Sequence, residues 1–226
     1  MKDDLLKSVT HKVDVIESHL LENNQAVEKL RTEIKTLKEE LNNKTDINNT
    51  ITTEMKQIDL NRNKFENESE QYSRANNIKI QGIQDTNPRE SARESAEKVI
   101  RILKDNDICN ITMADIDIAH SLPNKNNTNR DIIVRLVSRQ TKGHILANRK
   151  KLRGTHIFIN EDMTSLNLHV LMCVKKKMAD EVCDAWFSNG KILFKSHMNK
   201  IQPVKFEEYE HLINLPWPST ATKLIK

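Results

Sequence analysis

The sequence is poor in residues that break helices, cross-link small folds or stack on nucleic-acid bases. It contains four glycines, five prolines and three cysteines, and only 4% of its residues are aromatic. An odd cysteine count without a Cys-x-x-Cys pair argues against a disulfide framework and fits a reducing, intracellular compartment. No stretch approaches the roughly 18 apolar residues of a membrane-spanning helix, and no apolar signal-peptide run follows Met1. Neither a membrane span nor a secreted protein is predicted.

Catalytic and metal-binding patterns are equally scarce. The sequence holds no P-loop, no glycine-rich phosphate cradle and no Gly-x-Ser-x-Gly motif. His169 and Cys173 are four residues apart on one face of a predicted helix, but no third or fourth metal ligand accompanies them. A buried cysteine beside a surface histidine is the favoured interpretation. We therefore expect neither an enzyme nor a metal site, and no cofactor.

The dominant feature is a heptad repeat from Leu6 to Tyr72, which no proline or glycine interrupts. Stepping from Leu6 alternately by three and four residues reaches 20 core positions, with Leu6 at the first a position and Val9 at the first d position, and 15 of the 20 are apolar. One helix alone cannot bury a seam of this period, so residues 1–73 are predicted to form a parallel coiled coil. The core positions expected to carry most of the association are Val13, Ile16, Leu20, Val27, Leu30, Ile34, Leu37 and Leu41.

One short segment indicates the number of helices in the coil. The segment from Lys12 to Glu17 resembles the trimer-favouring signature Arg-h-x-x-h-Glu, with lysine in place of arginine. Polar core residues cluster in the second half of the repeat, so the first half is the stronger zipper. We expect self-association as a homotrimer, with a dimer as the alternative.

From residue 74 the hydrophobic period changes to that of an α+β fold. Strand and helix patterns alternate over residues 74–160 in the order βαββαβ, which predicts a sandwich like an RNA-recognition motif (RRM). The predicted segments are strand 77–83, helix 90–106 with Ser91 near its start, strands 115–122 and 131–137, a helix from Ser138 to about 150, and strand 155–159. The asparagine-rich loop 124–129 and the turn at Asn87-Pro88 separate them.

Residues 161–215 are predicted to form a small α/β C-terminal domain. A long helix starts after Thr164 or Ser165, with Val182 still on its apolar face, and a hairpin turns at Asn189-Gly190. A strand at 201–204 and a helix at 207–212 follow. Residues 216–226, with Pro216 and Pro218, are predicted to be a loose tail.

The charge is divided unevenly along the chain. Residues 1–73 contain 11 Lys and Arg against 15 Asp and Glu, whereas residues 130–205 contain 15 against 6. A basic folded half indicates a polyanionic partner, and the densest run has four bases in residues 149–153. The alternative is a solvated helix end, where cations suit the dipole. Arg135, Arg139 and Lys142 support the run. The candidate nucleic-acid-binding residues are Arg135, Arg139, Arg149, Lys150, Lys151, Arg153, Lys175, Lys191 and Lys195.

Three motifs stand in a recognisable order. A heptad repeat runs directly into Arg-Ala-Asn-Asn-Ile-Lys-Ile-Gln-Gly-Ile at 74–83, an RRM-like pattern closes on Ile-Phe-Ile-Asn-Glu-Asp-Met-Thr at 157–164, and a helix leads to Asn-Gly-Lys-Ile at 189–192. This order resembles the baculovirus few-polyhedra (FP) protein family and the related first-open-reading-frame proteins of LINE-type retrotransposons. The likeness spans nearly the whole chain. It implies a homotrimeric coil, an RRM, a C-terminal domain and sequence-tolerant binding of single-stranded RNA or DNA.

The predicted central strands depart from the usual RRM pattern. Such strands normally present aromatic rings for base stacking, but these offer Lys79, Gln81 and Arg135. Phosphate neutralisation is therefore expected to supply most of the affinity. Two other functions stay open: a viral FP-type factor that acts through protein partners in virion or occlusion trafficking, and a purely structural coiled-coil adaptor. The expected location is a cytoplasmic ribonucleoprotein, the nucleus, or both.

Overall fold

The computed structural model describes residues 2–83, 89–122 and 130–217. The chain is a mixed α+β protein with one long N-terminal helix and two antiparallel sheets. It divides into two compact units, Met1–Leu60 and Asn61–Lys226. The predicted turn at 87–88, the 124–129 loop and the end of the predicted tail lie outside the described residues. No helix in the described ranges is both long and apolar enough to cross a membrane.

Helix α1 spans Lys2–Ser73 and supplies all of the described structure of the first unit. Its heptad seam faces solvent in the single chain. The eight core residues expected to carry most of the association are 45–64% exposed. A single copy of the chain therefore leaves this apolar stripe uncovered.

The last turns of α1 belong to the second unit. Their side that carries Asn67 and Gln71, away from the heptad seam, is buried by polar contacts. Asn67 and Gln71, one helical turn apart, are 9% and 7% exposed. The Asn67 side-chain oxygen accepts from the Thr164 hydroxyl at 2.7 Å, and the Gln71 oxygen accepts from the Thr164 backbone N–H at 3.0 Å. Both amides also pair with the side chain of Asn167, at 3.1 and 2.9 Å. The side chains of Asn67, Gln71, Thr164 and Asn167 therefore all have hydrogen-bond partners in this contact.

Charged and phenolic side chains make further contacts at the same junction. The Arg74 guanidinium contacts Glu70 at 2.6 Å and Asp162 at 3.0 Å. Burial alone would lower the pKa of Arg74, but the hydrogen bonds and negative charges of these two carboxylates outweigh it and raise the pKa. The Tyr209 hydroxyl donates to Asn167 at 3.1 Å, and burial, aided by the charge of Glu68, raises its pKa to about 12.

The first sheet has four strands in the order β2-β3-β1-β4, and every neighbouring pair is antiparallel. Alternate residues face the core, so Ile78, Ile80, Ile132 and Val134 are at most 1% exposed. Two helices, α2 and α3, cover that face. The elements are β1 Asn77–Gln81, α2 Ala92–Asp105, β2 Ile116–Ser121, β3 Ile132–Leu136, α3 Arg139–Asn148 and β4 Phe158–Glu161.

Helix α3 begins where the sequence predicted, and α2 begins at Ala92, two residues after its predicted start. The Ser91 hydroxyl caps α2 and forms a capping box with Glu94, and the Ser138 hydroxyl caps α3. The predicted helix to residue 150 ends at Asn148 instead, and a 3-10 turn follows at Arg149–Leu152. The chain then turns at Gly154, which has a φ of +95°. Strand β4 therefore starts at Phe158 rather than at the predicted residue 155.

The second sheet has three antiparallel strands in the order β5-β6-β7. Asn189 and Gly190 both have positive φ, 50° and 80°, as the predicted two-residue hairpin requires. The helix before the hairpin ends at Lys177, so the prediction that placed Val182 on it was wrong. The Val182 N–H bonds to the Met178 carbonyl at 2.9 Å, which turns the chain into a strand. The elements are α4 Ser165–Lys177, β5 Val182–Ser188, β6 Lys191–Ser196, β7 Ile201–Pro203 and α5 Tyr209–Asn214.

Gly82, directly after β1, is predicted to tolerate no side chain. Its φ is +83°, and an added Cβ would lie 1.8 Å from the carbonyl oxygen of His156. Gly82→Ala should therefore lower the free energy of unfolding by about 1–3 kcal/mol or more. Gly143, in the middle of α3, has nothing within 4 Å of an added Cβ, so Gly143→Ala should raise stability by about 0.5–1 kcal/mol. Urea denaturation of the two variants checks both signs, and equal stabilities would contradict the described geometry.

Candidate nucleic-acid interface

The predicted basic run lies on the short 3-10 turn Arg149–Leu152 and the residue after it. Leu152 is 3% exposed and anchors the turn in the core, while the basic side chains around it are exposed. The Arg149 guanidinium donates to the Ile159 carbonyl at 3.2 Å, and the Lys151 ammonium donates to the Asp107 carbonyl. Among the described residues no carboxylate pairs with Arg149, Lys150, Lys151 or Arg153. These four side chains therefore keep their charge available for an anion.

Arg135 lies on the open face of the first sheet, as predicted for a mid-sheet position. Its Nε is 3.4 Å from a carboxylate oxygen of Asp117, and both side chains are more than half exposed. An ion pair this exposed is worth at most about 1 kcal/mol, so a phosphate could replace the carboxylate. On the same face Lys79 pairs with Asp131 at 2.8 Å. The open face is thus close to charge balance and is not a basic surface by itself.

The structure brings Arg139 and Lys191 together around a third group, Tyr72. These residues line a cleft of about 390 Å³ between the end of α1, the start of α3 and the β5–β6 turn. The Arg139 guanidinium carbon lies 4.9 Å from the centre of the Tyr72 ring, and its Nε donates to the Asn76 side chain at 3.2 Å. This arrangement combines an aromatic ring with two cations.

Lys142 also lines this cleft, but its charge is already neutralised. The side chain is 9% exposed and contacts a Glu161 carboxylate oxygen at 3.0 Å. It also donates to the Ala75 carbonyl at 2.8 Å. The sequence-based use of Lys142 as support for the basic run was therefore wrong, because a buried partner holds its ammonium group.

The two remaining candidates do not line the cleft. Lys175 is exposed on α4, and Lys195 lies on β6 opposite Asp184 of the neighbouring strand. Lys177, also on α4, has a structural role: its ammonium donates to the Leu212 and Ile213 carbonyls and lies 4.5 Å from the ring centre of Trp217. The predicted residues therefore fall into separate groups rather than one continuous groove.

Two aromatic residues were missed by the sequence-based reasoning. Tyr72 was assigned only to the heptad seam, yet it stacks with Arg139. Phe158 lies on the edge strand β4, outside the central strands on which an RRM normally presents its rings, and it is 61% exposed. The sequence alternation at 157–159 indicates this exposure, because a buried Ile159 places the neighbouring Phe158 on the opposite face of the strand.

The favoured interpretation of His169 and Cys173 is confirmed. Cys173 is fully buried in the core of the C-terminal half, and His169 is exposed on the same helix. Within the described ranges no three His, Cys, Asp or Glu side chains are grouped so that they could hold a metal ion.

Comparison with known proteins adds no assignment. No protein-family model matches the chain, and no curated protein matches it either. The function is therefore inferred from the residues and their geometry.

Removing the charge of Lys142 is predicted to destabilise the fold, whereas removing the charge of Lys175 is predicted to have little effect. Lys142→Ala leaves the Glu161 carboxylate, which is 9% exposed, without its cation, and breaking such a buried pair costs about 3–5 kcal/mol. Lys175→Ala removes an exposed charge and should change stability by no more than about 0.5 kcal/mol. The two urea midpoints measure this difference. A midpoint for Lys142→Ala equal to that of the parent would show that Lys142 is solvated after all.

Proposed function

We propose that this chain is a homo-oligomeric, non-enzymatic protein that binds single-stranded RNA or DNA with low sequence specificity. Its N-terminal seam forms a parallel coiled coil, most simply a trimer, and each copy presents an RRM-like domain and a small C-terminal domain. This is the ribonucleoprotein or chaperone role that the resemblance to the FP and LINE-type first-open-reading-frame proteins implies.

The exposed seam supports association. Burying a leucine, isoleucine or valine side chain is worth about 1.5–3 kcal/mol, and eight such residues in the first six heptads are about half exposed in one copy. Self-association through the a and d positions removes them from water without disturbing the helix. Asn23, Lys44 and Asn48 occupy other core positions, where polar groups favour one register at a cost in stability.

The order of elements supports the RRM-like assignment. A βαββαβ chain whose sheet runs β2-β3-β1-β4, with both helices on one face, is the arrangement expected of that motif. The sheet leaves its other face open. That face carries Lys79, Gln81 and Arg135 on the two central strands, so stacking there is not the main source of affinity.

The single observation that carries the nucleic-acid assignment is the basic run at 149–153. Its four cations are exposed, lie within five residues and have no described carboxylate partner. Neutralising phosphates with such side chains releases condensed counterions, which makes binding strong at low salt and indifferent to sequence. Three copies of the run on one oligomer would raise the apparent affinity by about 10²–10⁴ for a strand long enough to reach them.

The proposal predicts a specific change in salt dependence. For single strands the slope of log K against log salt is about −0.7 per phosphate contacted. Replacing Arg149, Lys150, Lys151 and Arg153 by alanine should make the slope shallower by up to about 3 units per module. The loss should be similar for poly-U and for mixed sequence. Fluorescence anisotropy with a labelled strand over a range of salt concentrations measures it.

A charge-matched control separates local contacts from net charge. Lys7, Lys29, Lys35 and Lys56 are exposed on α1 and lie outside the a and d positions. Their fourfold alanine variant loses the same charge and should keep the parent slope. If the 149–153 variant also keeps both affinity and slope, the run is a solvated helix end, and an FP-type function through protein partners becomes the better explanation.

A further inference from the structure

Phe158 is a large aromatic side chain on the open face of the first sheet. It is 61% exposed, although only 4% of the chain is aromatic. Its neighbour Ile159 is 2% exposed, so the strand itself fixes Phe158 on the open face of the first sheet. Single exposed apolar residues are common on proteins, and the surroundings of this one decide its meaning.

Two side-chain amides flank the ring on the same face. Gln81 is the register partner of Phe158 on β1, and Asn160 lies two residues further along β4. The Asn160 amide donates to the Gln81 oxygen at 3.5 Å, and the Gln81 amide donates to Asp131 at 3.1 Å. Amides offer both donors and acceptors, which match the polar edges of an unpaired base. The 3.5 Å bond is long, so a base could replace it at little cost.

A cation lies against the same edge of the sheet. The Arg149 guanidinium donates to the carbonyl of Ile159 at 3.2 Å, which is the residue after Phe158. The basic run therefore adjoins the edge strand that presents the ring. A nucleic-acid strand that bound this run would lie beside the sheet edge that presents the ring.

We propose that Phe158 is a base-stacking residue, with Gln81 and Asn160 beside it to contact the edge of the stacked base. The occupant is one unpaired base of the single strand whose phosphates the basic run binds, so this inference rests on the proposed function. Stacking tolerates every base because each has a π face. The site thus adds affinity for bases without making the protein sequence-specific.

The test separates base contacts from phosphate contacts in the full-length chain. Two labelled strands of equal length are compared, a uridine homopolymer and an abasic sugar-phosphate chain. Loss of one stacked base is worth about tenfold in affinity. Phe158→Ala should therefore weaken uridine-strand binding about tenfold or more, leave abasic-strand binding unchanged and leave the salt slope unchanged. Phe158→Trp, which keeps an aromatic face, should retain binding to both strands.

Ile118→Ala is the matched control, because Ile118 is 48% exposed on the opposite edge strand and is not aromatic. It should leave both affinities unchanged. Equal uridine-strand affinities for Phe158→Ala and the parent would overturn the inference and leave the proposed function intact. Equal losses on both strands would also overturn it, because Phe158 would then act on the fold or on another partner. If the parent binds neither strand, the proposed function fails, and this inference fails with it.

Discussion

The structure depends on an apolar seam that one chain cannot cover. Along α1 the seam residues Val13 to Leu41 are 45–64% exposed, and a helix has no second layer of its own to place over them. We propose that other helices bury this stripe, because an exposed apolar seam of this period is the pattern of a coiled coil. The proposed oligomer follows from that constraint, and so does the proposed gain in affinity from several basic surfaces acting on one strand.

The end of α1 shows how one helix can serve two purposes. Asn67 and Gln71 lie outside the a and d positions and are buried against Thr164 and Asn167 by hydrogen bonds. Phe65, at a d position in the same turns, is 72% exposed. One side of these turns is thus buried in the folded unit, while the seam side stays exposed to solvent. Consistent with this, the compact unit begins at Asn61, before the predicted rod boundary at residue 73.

Features that depend on short stretches of sequence were predictable. The caps at Ser91 and Ser138, the Asn189-Gly190 hairpin and the alternating strand residues each involve side chains within a few positions of one another. Contacts between distant segments were not. The pairing of Lys142 with Glu161 and the stacking of Arg139 on Tyr72 depend on how the elements meet in space, which no local pattern encodes.

The separation of the basic residues was missed for the same reason. Sequence spacing suggested that Arg135, Arg139 and the 149–153 run support one another. In the fold, Arg135 is on the open sheet face, Arg139 is in the cleft beside Tyr72, and the run lies at the edge of β4. The charge excess of this region was readable from composition, whereas its distribution over three surfaces required the sheet register.

Sedimentation equilibrium of the full-length chain tests the central claim, self-association through the seam. At tens of micromolar the parent should have a mass about three times the 26.2 kDa of the chain. The Leu30→Glu, Leu37→Glu variant should sediment as a single chain, because both side chains are more than half exposed in one copy and only the oligomer would bury the new carboxylates. A single-chain mass for the parent, or an unchanged mass for the variant, would contradict the account.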